Sequence, residues 1–391
     1  MNLAPSETDR ELAMAVRTWA EGQTTRIVDA ERQMTLPLDM VHELGDLGVL
    51  GMTVPERDGG LGASTVAFAL VLEELAAVWP SLAVGVSVNS GIVAGSIIKY
   101  GTPEQRKRWL PLLMEGKGLG AFALTEPSSG SDAASLKAIA VKDGDGWRIS
   151  GSKMFITSAR YAPLFIVLAR VGSPEKDVAA RPGAPTPAHA GITAFIVPAD
   201  APGLVIGPAE HKMGLRASDT SGIVLEDARV AGDAVLGEIG KGFGLALAGL
   251  DGGRIGIAAQ SVGIARGALA RAIAYGRGRE QFGHSILTFE AIQFALAQAT
   301  TELDAARLLT YRAARLRDCG QPFTREASMA KLYASEAAQR ATYTAVQIFG
   351  GYGYMSEYGV ERYERDARAT TLYEGTSEVQ RMVIARSLLA A

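Results

Sequence analysis

Hydrophobic positions along this chain change period twice. In the first third, Leu38, Val41, Leu44 and Leu47 recur at steps of three, and Thr102-Pro103-Glu104 sets proline in the first turn of a further helix. Residues 6 to 116 are therefore predicted helical. From Gly118 the signal shifts to short β-type runs, Trp147-Arg148-Ile149, Met154-Phe155-Ile156-Thr157, Phe165-Ile166-Val167-Leu168 and Ala194-Phe195-Ile196-Val197, separated by turns rich in glycine and proline. A compact sheet is expected over roughly 118 to 230. Within it, Val171 to Ala190 gathers Pro174, Pro182, Pro185 and Pro187 among alanine and glycine and reads as a mobile surface loop. After Gly244 the helical period returns. Phe289, Ile292, Leu296, Ala299, Leu303 and Ala306 alternate steps of three and four, the seam of a long bundle helix, and stretches over 323–349 and 376–390 complete a four-helix bundle. The expected fold class is α+β: an N-terminal α-helical domain over 1–117, a middle β domain over 118–232 and a C-terminal α-helical bundle over 233–391.

Composition narrows the function. With 391 residues, 48% apolar and 21% charged, the chain has material for a large core shared by two or three domains. The 39 basic and 42 acidic residues nearly cancel and form no long run of one sign, so neither nucleic acid nor an anionic membrane is an expected partner. Leu75 to Ile98 is uncharged and long enough to span a bilayer, but Pro80, Ser81, Ser87, Asn89, Ser90 and Ser96 interrupt it; a buried helix pair is the expected form, with no integral membrane association. The one cysteine, Cys319, excludes an internal disulfide, and His42, His189, His211 and His284 lack the spacing of a zinc site, so no metal is expected. Met1 to Arg10 carries charge without an apolar stretch, and a cytoplasmic location is the default expectation.

Neither G-x-G-x-x-G, nor G-x-x-x-x-G-K, nor G-x-S-x-G occurs, which leaves Rossmann, P-loop and hydrolase readings without support. Five other segments carry candidate chemistry. Phe122-Ala123-Leu124-Thr125-Glu126-Pro127-Ser128-Ser129-Gly130-Ser131-Asp132 runs from a strand into a turn of small hydroxyl residues, either a plain serine turn or a set of donors for a ligand edge. Phe155-Ile156-Thr157-Ser158 puts an aromatic and a hydroxyl at a strand end. In Leu250-Asp251-Gly252-Gly253-Arg254, the arginine can pair with Asp251 or meet a ligand. Arg277-Gly278-Arg279-Glu280-Gln281-Phe282-Gly283 is a short basic loop. The fifth runs from Gln347-Ile348-Phe349-Gly350-Gly351 through Arg365-Asp366-Ala367-Arg368 to Tyr373-Glu374-Gly375-Thr376-Ser377-Glu378. There Thr376 and Ser377 can cap the final helix, and Glu374 precedes the cap among small and aromatic neighbours.

In this order and at these separations the five segments resemble the acyl-CoA dehydrogenase family over nearly the whole chain. The short-chain branch is nearest, through Asp251-Gly252-Gly253-Arg254-Ile255-Gly256 and Tyr373-Glu374-Gly375-Thr376-Ser377-Glu378. The resemblance implies an acyl-CoA dehydrogenase-like fold, non-covalent FAD, a homotetramer, and an electron-transferring flavoprotein as electron acceptor. By position, Phe122, Leu124, Thr125 and Ser131 would line the flavin, with Ser131 also near the substrate, and Phe155 and Thr157 would cover its other side. Arg279, Phe282, Gln347 and Gly351 would hold the dinucleotide tail, partly across a dimer interface, and Thr376 and Glu378 would flank the cofactor. Asp251, Arg254 and Gly375 would meet the acyl-CoA. Glu290 departs from the family pattern, which has glutamine there, and would repel an anionic dinucleotide.

The chemistry that follows is removal of a thioester α-proton by a positioned base, with stabilisation of the charge that develops on the carbonyl oxygen. Glu374 is the expected catalytic base and flavin N5 the acceptor of the β-hydride, in a step of fatty acid β-oxidation. Some branches of the family place their base on the helix of Arg254, where this chain has Gly253. The alternatives are a flavin oxidase or monooxygenase of the same fold, and a non-catalytic acyl-binding member.

Overall fold

The computed structural model describes residues 5–172 and 188–390, so most of the proline-rich stretch, 173 to 187, lies outside the described residues. The first helix starts where side chains satisfy its free N–H groups. Ser6 and Asp9 form a reciprocal capping box on α1 (Glu7–Gly22), and α2 (Thr24–Gln33) and α3 (Leu38–Asp46) follow. On α3 the buried face is Met40, Val41 and Leu44; the expected stripe overreached, since Leu38 and Leu47 at its ends are 37% and 38% exposed. Helix α4 (Thr65–Val78) is buried on nearly every side.

The apolar run read as a buried helix pair is the end of α4 and then one continuous helical rod, α5 (Pro80–Val86), a π-helical turn at Ser87–Ala94, and α6 (Gly95–Tyr100). Its 21 residues are long and apolar enough to cross a membrane, but they lie largely buried within the protein. A π-turn widens the helix and often marks a functional site. A second capping box, Thr102 with Gln105, opens α7 (Pro103–Met114).

The middle of the chain forms β1 (Ala121–Ala123), β2 (Ile139–Asp143), β3 (Gly146–Thr157), β4 (Leu164–Val171), β5 (Ile192–Pro198), β6 (Leu204–Ala209), β7 (Thr220–Val230) and β8 (Val235–Leu236). Their order is β6-β7-β3-β2-β4-β5-β8, and β1 lies parallel to β4, with Ala121 opposite Phe165. On β4, Phe165, Val167 and Ala169 face a core internal to the sheet domain, while Leu164, Ile166 and Leu168 pack with Ile97 of α6 and Leu110 and Leu113 of α7. Burial on both faces explains why this strand reads as an unbroken apolar run. The two runs read separately at 147–149 and 154–157 are one strand, β3, whose register against β7 slips between Ile149 and Gly151 and again between Lys153 and Ile156.

The last part is α8 (Gly242–Gly278), the hairpin β9 (Glu280–Gln281) and β10 (His284–Ser285), then α9 (Glu290–Asp318), α10 (Thr324–Phe349), α11 (Val360–Thr370) and α12 (Ser377–Leu389). The expected loop after Arg277 is this hairpin; Phe282 and Gly283 at its tip have φ of 55° and 82°, as a two-residue turn of the left-handed type requires. Helix α11, which carries Arg365 to Arg368, had no separate place in the sequence reading. Leu72 and Leu75 of α4 share one core with Ile255 and Val262 of α8, so the two helical ends of the chain fold against each other. That arrangement sets the sheet beside the joint helical core.

Candidate active site

One wall of the site is built on the second slip of β3. Lys153, fully buried, donates to the Leu124 carbonyl at 3.1 Å and pairs with Glu126 at 2.8 Å. Glu126 also accepts from the backbone N–H of Lys137 at 2.6 Å and Ala138 at 2.9 Å. Burial pushes the Glu126 carboxyl up, but the Lys153 hydrogen bond and charge and the two N–H donors outweigh it and hold it below the usual range. Burial likewise pushes the Lys153 ammonium down against the pull of Glu126. A further bond, Met154 N–H to the Thr125 carbonyl at 2.9 Å, ties the segment 124–126 to β3. Leu124 and Thr125 are thereby fixed beside Phe155 and Thr157.

Phe155 itself is 60% exposed and has a φ of 59°. A bulky residue in the left-handed region is strained, and strain of this kind collects at functional sites. The ring is held out from the sheet with no core contact to account for it. Phe122 and Thr157 are half-buried, Leu124 is buried, and Ser131 is exposed on the turn that follows.

The second wall is the turn into α12. Thr376 caps the helix, accepting from Val379 N–H at 3.3 Å, and the two residues before it, Glu374 and Gly375, both lie at positive φ, 52° and 92°. This reversal is held by donors to its carbonyls. Lys331 donates to Gly375 O at 2.8 Å, and Gln380 donates to Gly375 O at 2.9 Å and Glu374 O at 3.2 Å. The Tyr373 hydroxyl reaches Gln260 at 2.6 Å, and Gln260 in turn donates to the Pro80 carbonyl at 2.9 Å. The turn is thus fastened to α5, α8, α10 and α12.

Both carboxylate oxygens of Glu374 are buried and have no hydrogen-bond partner among the described residues. Burial pushes this carboxyl up to about 7, although Lys331 and Arg254 pull it down. The carboxylate lies over Gly253 of α8, where a Cβ would stand 2.1 Å from Oε2 and 2.9 Å from Ile92 Cδ1 of the π-turn. On the same stretch of α8, Arg254 donates to Asp251 at 2.6 Å and lies 3.3 Å from the Ser328 hydroxyl, while Thr324 donates to Asp251 at 2.6 Å. The local ion pair that the spacing allowed is therefore made. Burial dominates both members, pushing Asp251 up and Arg254 down.

Two sets of expected residues stand apart. Glu374, Gly375, Asp251 and Arg254 converge on one end of α8. Arg279 follows Arg254 by about 25 residues, roughly 37 Å along the helix axis. It lies over the Tyr352 ring, 5.5 Å from its centroid, and with Tyr275, Phe349, Gly351 and Met355 lines a cavity of about 450 Å³. Among the described residues it has no carboxylate partner. Gln347 is exposed near the end of α10, and Phe282 is exposed at the hairpin tip. Thr376 belongs to the α12 cap; Glu378, in the first turn of that helix, and Glu290, in the first turn of α9, are exposed.

The sequence reading missed Lys331, Gln260, Gln380 and the Glu126–Lys153 pair. Lys331 had a visible signal: it lies among Ala327, Ala330, Ala334 and Ala338, the buried stripe of α10, where a lysine must find a partner inside.

The family profiles described as acyl-CoA dehydrogenase N-terminal, middle and C-terminal domains match residues 6–117, 121–228 and 240–389. The mitochondrial short-chain specific acyl-CoA dehydrogenase of Bos taurus is 43% identical over 384 residues, covering 98% of this chain and 90% of its own length. The structure of butyryl-CoA dehydrogenase from Megasphaera elsdenii is 39% identical with a TM-score of 0.94, each chain covered in full. A glutaryl-CoA dehydrogenase from Mycobacterium smegmatis, solved in complex with FADH2, is 31% identical with a TM-score of 0.90, covering 99% of this chain and 96% of that one. With all three domain profiles matched in order and the fold shared from end to end, the chain belongs to the acyl-CoA dehydrogenase family.

Proposed function

We propose that this protein catalyses the FAD-dependent α,β-dehydrogenation of an acyl-CoA thioester to the trans-2-enoyl-CoA, with Glu374 as the base. The observation that carries this reading is the Glu374 carboxylate: buried, without a hydrogen-bond partner among the described residues, and pushed up to about 7 above the bare backbone of Gly253. A base of that affinity is ionised in part at neutral pH and still accepts a proton readily. Its turn is held through its carbonyls by Lys331 and Gln380, so the carboxylate does not have to be recruited.

The residues present fit a flavin dinucleotide. Phe155 offers an exposed ring face held there at the cost of backbone strain, and the hydroxyl turn beyond Thr125 offers donors to a heterocycle edge. Arg279, without a carboxylate partner among the described residues, suits a pyrophosphate. FAD, when bound, supplies the acceptor for the β-hydride. The chain's own part is to hold the thioester against Glu374, take the α-proton at its carboxylate, and exclude water with the α8 and π-turn walls. Asp251 and Arg254, paired on the same stretch of α8 as Gly253, are assigned to the CoA moiety.

The separation of Arg279 from Glu374 supports a role for a second copy of the chain: Arg279, Phe282, Gln347 and Gly351 would serve the cofactor of a neighbouring subunit in a homotetramer. An electron-transferring flavoprotein is the proposed acceptor. The test of the reaction is anaerobic titration of the purified protein with butyryl, isovaleryl and octanoyl CoA thioesters while flavin bleaching is followed. Bleaching by at least one of them is expected; protein that carries flavin yet is bleached by none would overturn the proposal.

A further inference from the structure

Asp366 of α11 is fully buried and stands outside the two walls of the site. One carboxylate oxygen accepts from the Leu215 N–H at 2.5 Å; the other is buried with no hydrogen-bond partner among the described residues. Burial and then the Glu31 carboxylate of α2 push Asp366 up, against Arg362, the Leu215 N–H and Arg365. Its charge is poorly supported, and what it supplies is an acceptor. The backbone beside Leu215 lies directly on the helix: a Cβ on Gly214 would stand 2.2 Å from the Arg365 carbonyl oxygen, and Arg365 donates to the Met213 carbonyl at 3.0 Å.

Leu215 has a φ of 49°, a strained setting for a bulky residue. Its side chain packs with Val84 of α5, Ile257 of α8 and Tyr373, the residue before Glu374. Four positions on, the Asp219 carbonyl accepts from Ser158 N–H at 2.9 Å and its carboxylate accepts from Arg160 N–H at 2.8 Å. Ser158, itself at φ 65°, follows Thr157 at the end of β3. Lys212 donates to the Ser218 carbonyl at 2.7 Å and closes 212–219 into one compact link. One end of that link bears on the turn of Glu374 and the other on the proposed flavin wall. Glu374, Leu215, Ser158 and Phe155, all at positive φ, lie along it.

We propose that Asp366 is a positioning residue: by holding the Leu215 N–H, it ties the turn that carries Glu374 to the wall that carries Phe155 and Thr157 and fixes the spacing between them. The inference rests on the dehydrogenation reading, in which the thioester gives up a proton on one side and a hydride on the other. Loosening the tie harms the hydride step, which spans both walls, more than the proton step, which Glu374 performs from one.

The experiment uses the flavin-loaded wild type, Asp366→Ala, Asp366→Asn and Leu215→Ala. Amide hydrogen exchange is followed over 154–161 and 211–221, and flavin reduction by butyryl-CoA in stopped flow. Proton removal is read as exchange of the α-hydrogens of 3-thiabutyryl-CoA with deuterated water, since that thioester has no β-hydrogen to give up. Asp366→Ala should speed amide exchange in both segments and slow flavin reduction roughly ten- to hundredfold, with α-exchange lowered no more than a few-fold. Asp366→Asn keeps an acceptor for the Leu215 N–H and should restore all three readings. Leu215→Ala keeps the backbone bond but loses the contact with Tyr373, so it should show the same split between reduction and α-exchange; it carries the test if Asp366→Ala does not fold. Unchanged amide exchange over 154–161 in folded Asp366→Ala would overturn the tie. So would an asparagine variant as impaired as the alanine one, or reduction and α-exchange changing by the same factor in Leu215→Ala. A wild type that is not bleached by butyryl-CoA would instead sink the reaction, and amide exchange would still test the tie.

Discussion

Gly253 and Glu374 share one volume: a methyl group on Gly253 would stand 2.1 Å from Oε2 of Glu374 and 2.9 Å from its Cδ. Helix α8 supplies the floor under the proposed base. Gly253→Ala should therefore displace the carboxylate without altering its chemistry. Small misplacements of a reacting group can cost about 10²-fold in rate. Stopped-flow flavin reduction by butyryl-CoA should slow by about that factor while flavin content stays at the wild-type level; an unchanged rate would mean that the carboxylate acts from another position.

Glu374→Gln should give a larger kinetic loss, roughly 10²- to 10⁴-fold in flavin reduction, with thioester binding retained. It also has a signature in stability. The folded-state value of about 7 lies above the ordinary 4.5, so the stability that this group contributes is present in full below the ordinary value and lost as pH rises through 7. Glutamine removes that loss. The variant should gain up to about 3 kcal/mol over wild type at pH 8 and close to nothing at pH 4.5. Thermal melting of the two proteins across this range checks the sign, and a variant less stable at pH 8 would argue that Glu374 serves only the α12 helix end.

Lys331 acts on Glu374 in two ways, through the carbonyl of Gly375 and through its charge. Its own ammonium is pushed down to about 8 by burial, with Glu374 the largest charge opposing that fall. Lys331→Met removes the cation that pulls Glu374 down, so the acidic limb of the pH profile for flavin reduction should move upward from about 7. Lys331→Arg should return the limb part of the way. A limb that stays in place while the rate drops at every pH would assign Lys331 to the turn's geometry alone.

How much of this was legible in the sequence depends on what each residue's partner is. Glu374 and Gly253 could be read because their roles are local to recognisable strings, and Asp251 with Arg254 because the partners are three apart on one helix. Lys331 shows as a lysine on the buried alanine stripe of α10, but its acceptor does not, because that is a backbone carbonyl 44 positions later, and a carbonyl leaves no mark in a sequence. The layered order of helices, sheet and helices was visible from period alone. The single long β3 was not, because each register slip breaks the alternation that marks a strand, and the slip at Lys153 to Ile156 is also what turns Phe155 outward. The π-turn was hidden for the converse reason: Ser87–Ala94 is buried all round and has no polar face to report its period.

The Glu126–Lys153 pair offers a test of how the proposed flavin wall is held. Lys153 joins the carbonyl of Leu124 to the carboxylate of Glu126, and Glu126 fixes the N–H groups of Lys137 and Ala138, so a single ion pair fastens both ends of the turn between them. Removing one member leaves the other charged and buried, and such truncations cost about 3–5 kcal/mol. Lys153→Met and Glu126→Gln should each lower the melting temperature and release flavin on dialysis. Replacing both members takes away the stranded charge, so the double variant should be more stable than the sum of the single losses predicts. Flavin retention should nonetheless stay poor in the double variant, because neither replacement side chain restores the link from β3 to the Leu124 carbonyl. A double-mutant cycle on melting temperature, with flavin content measured on the same samples, separates the two quantities. If flavin retention returned together with stability, the pair would matter only as buried charge, and the wall would be positioned by the Met154–Thr125 backbone bond instead.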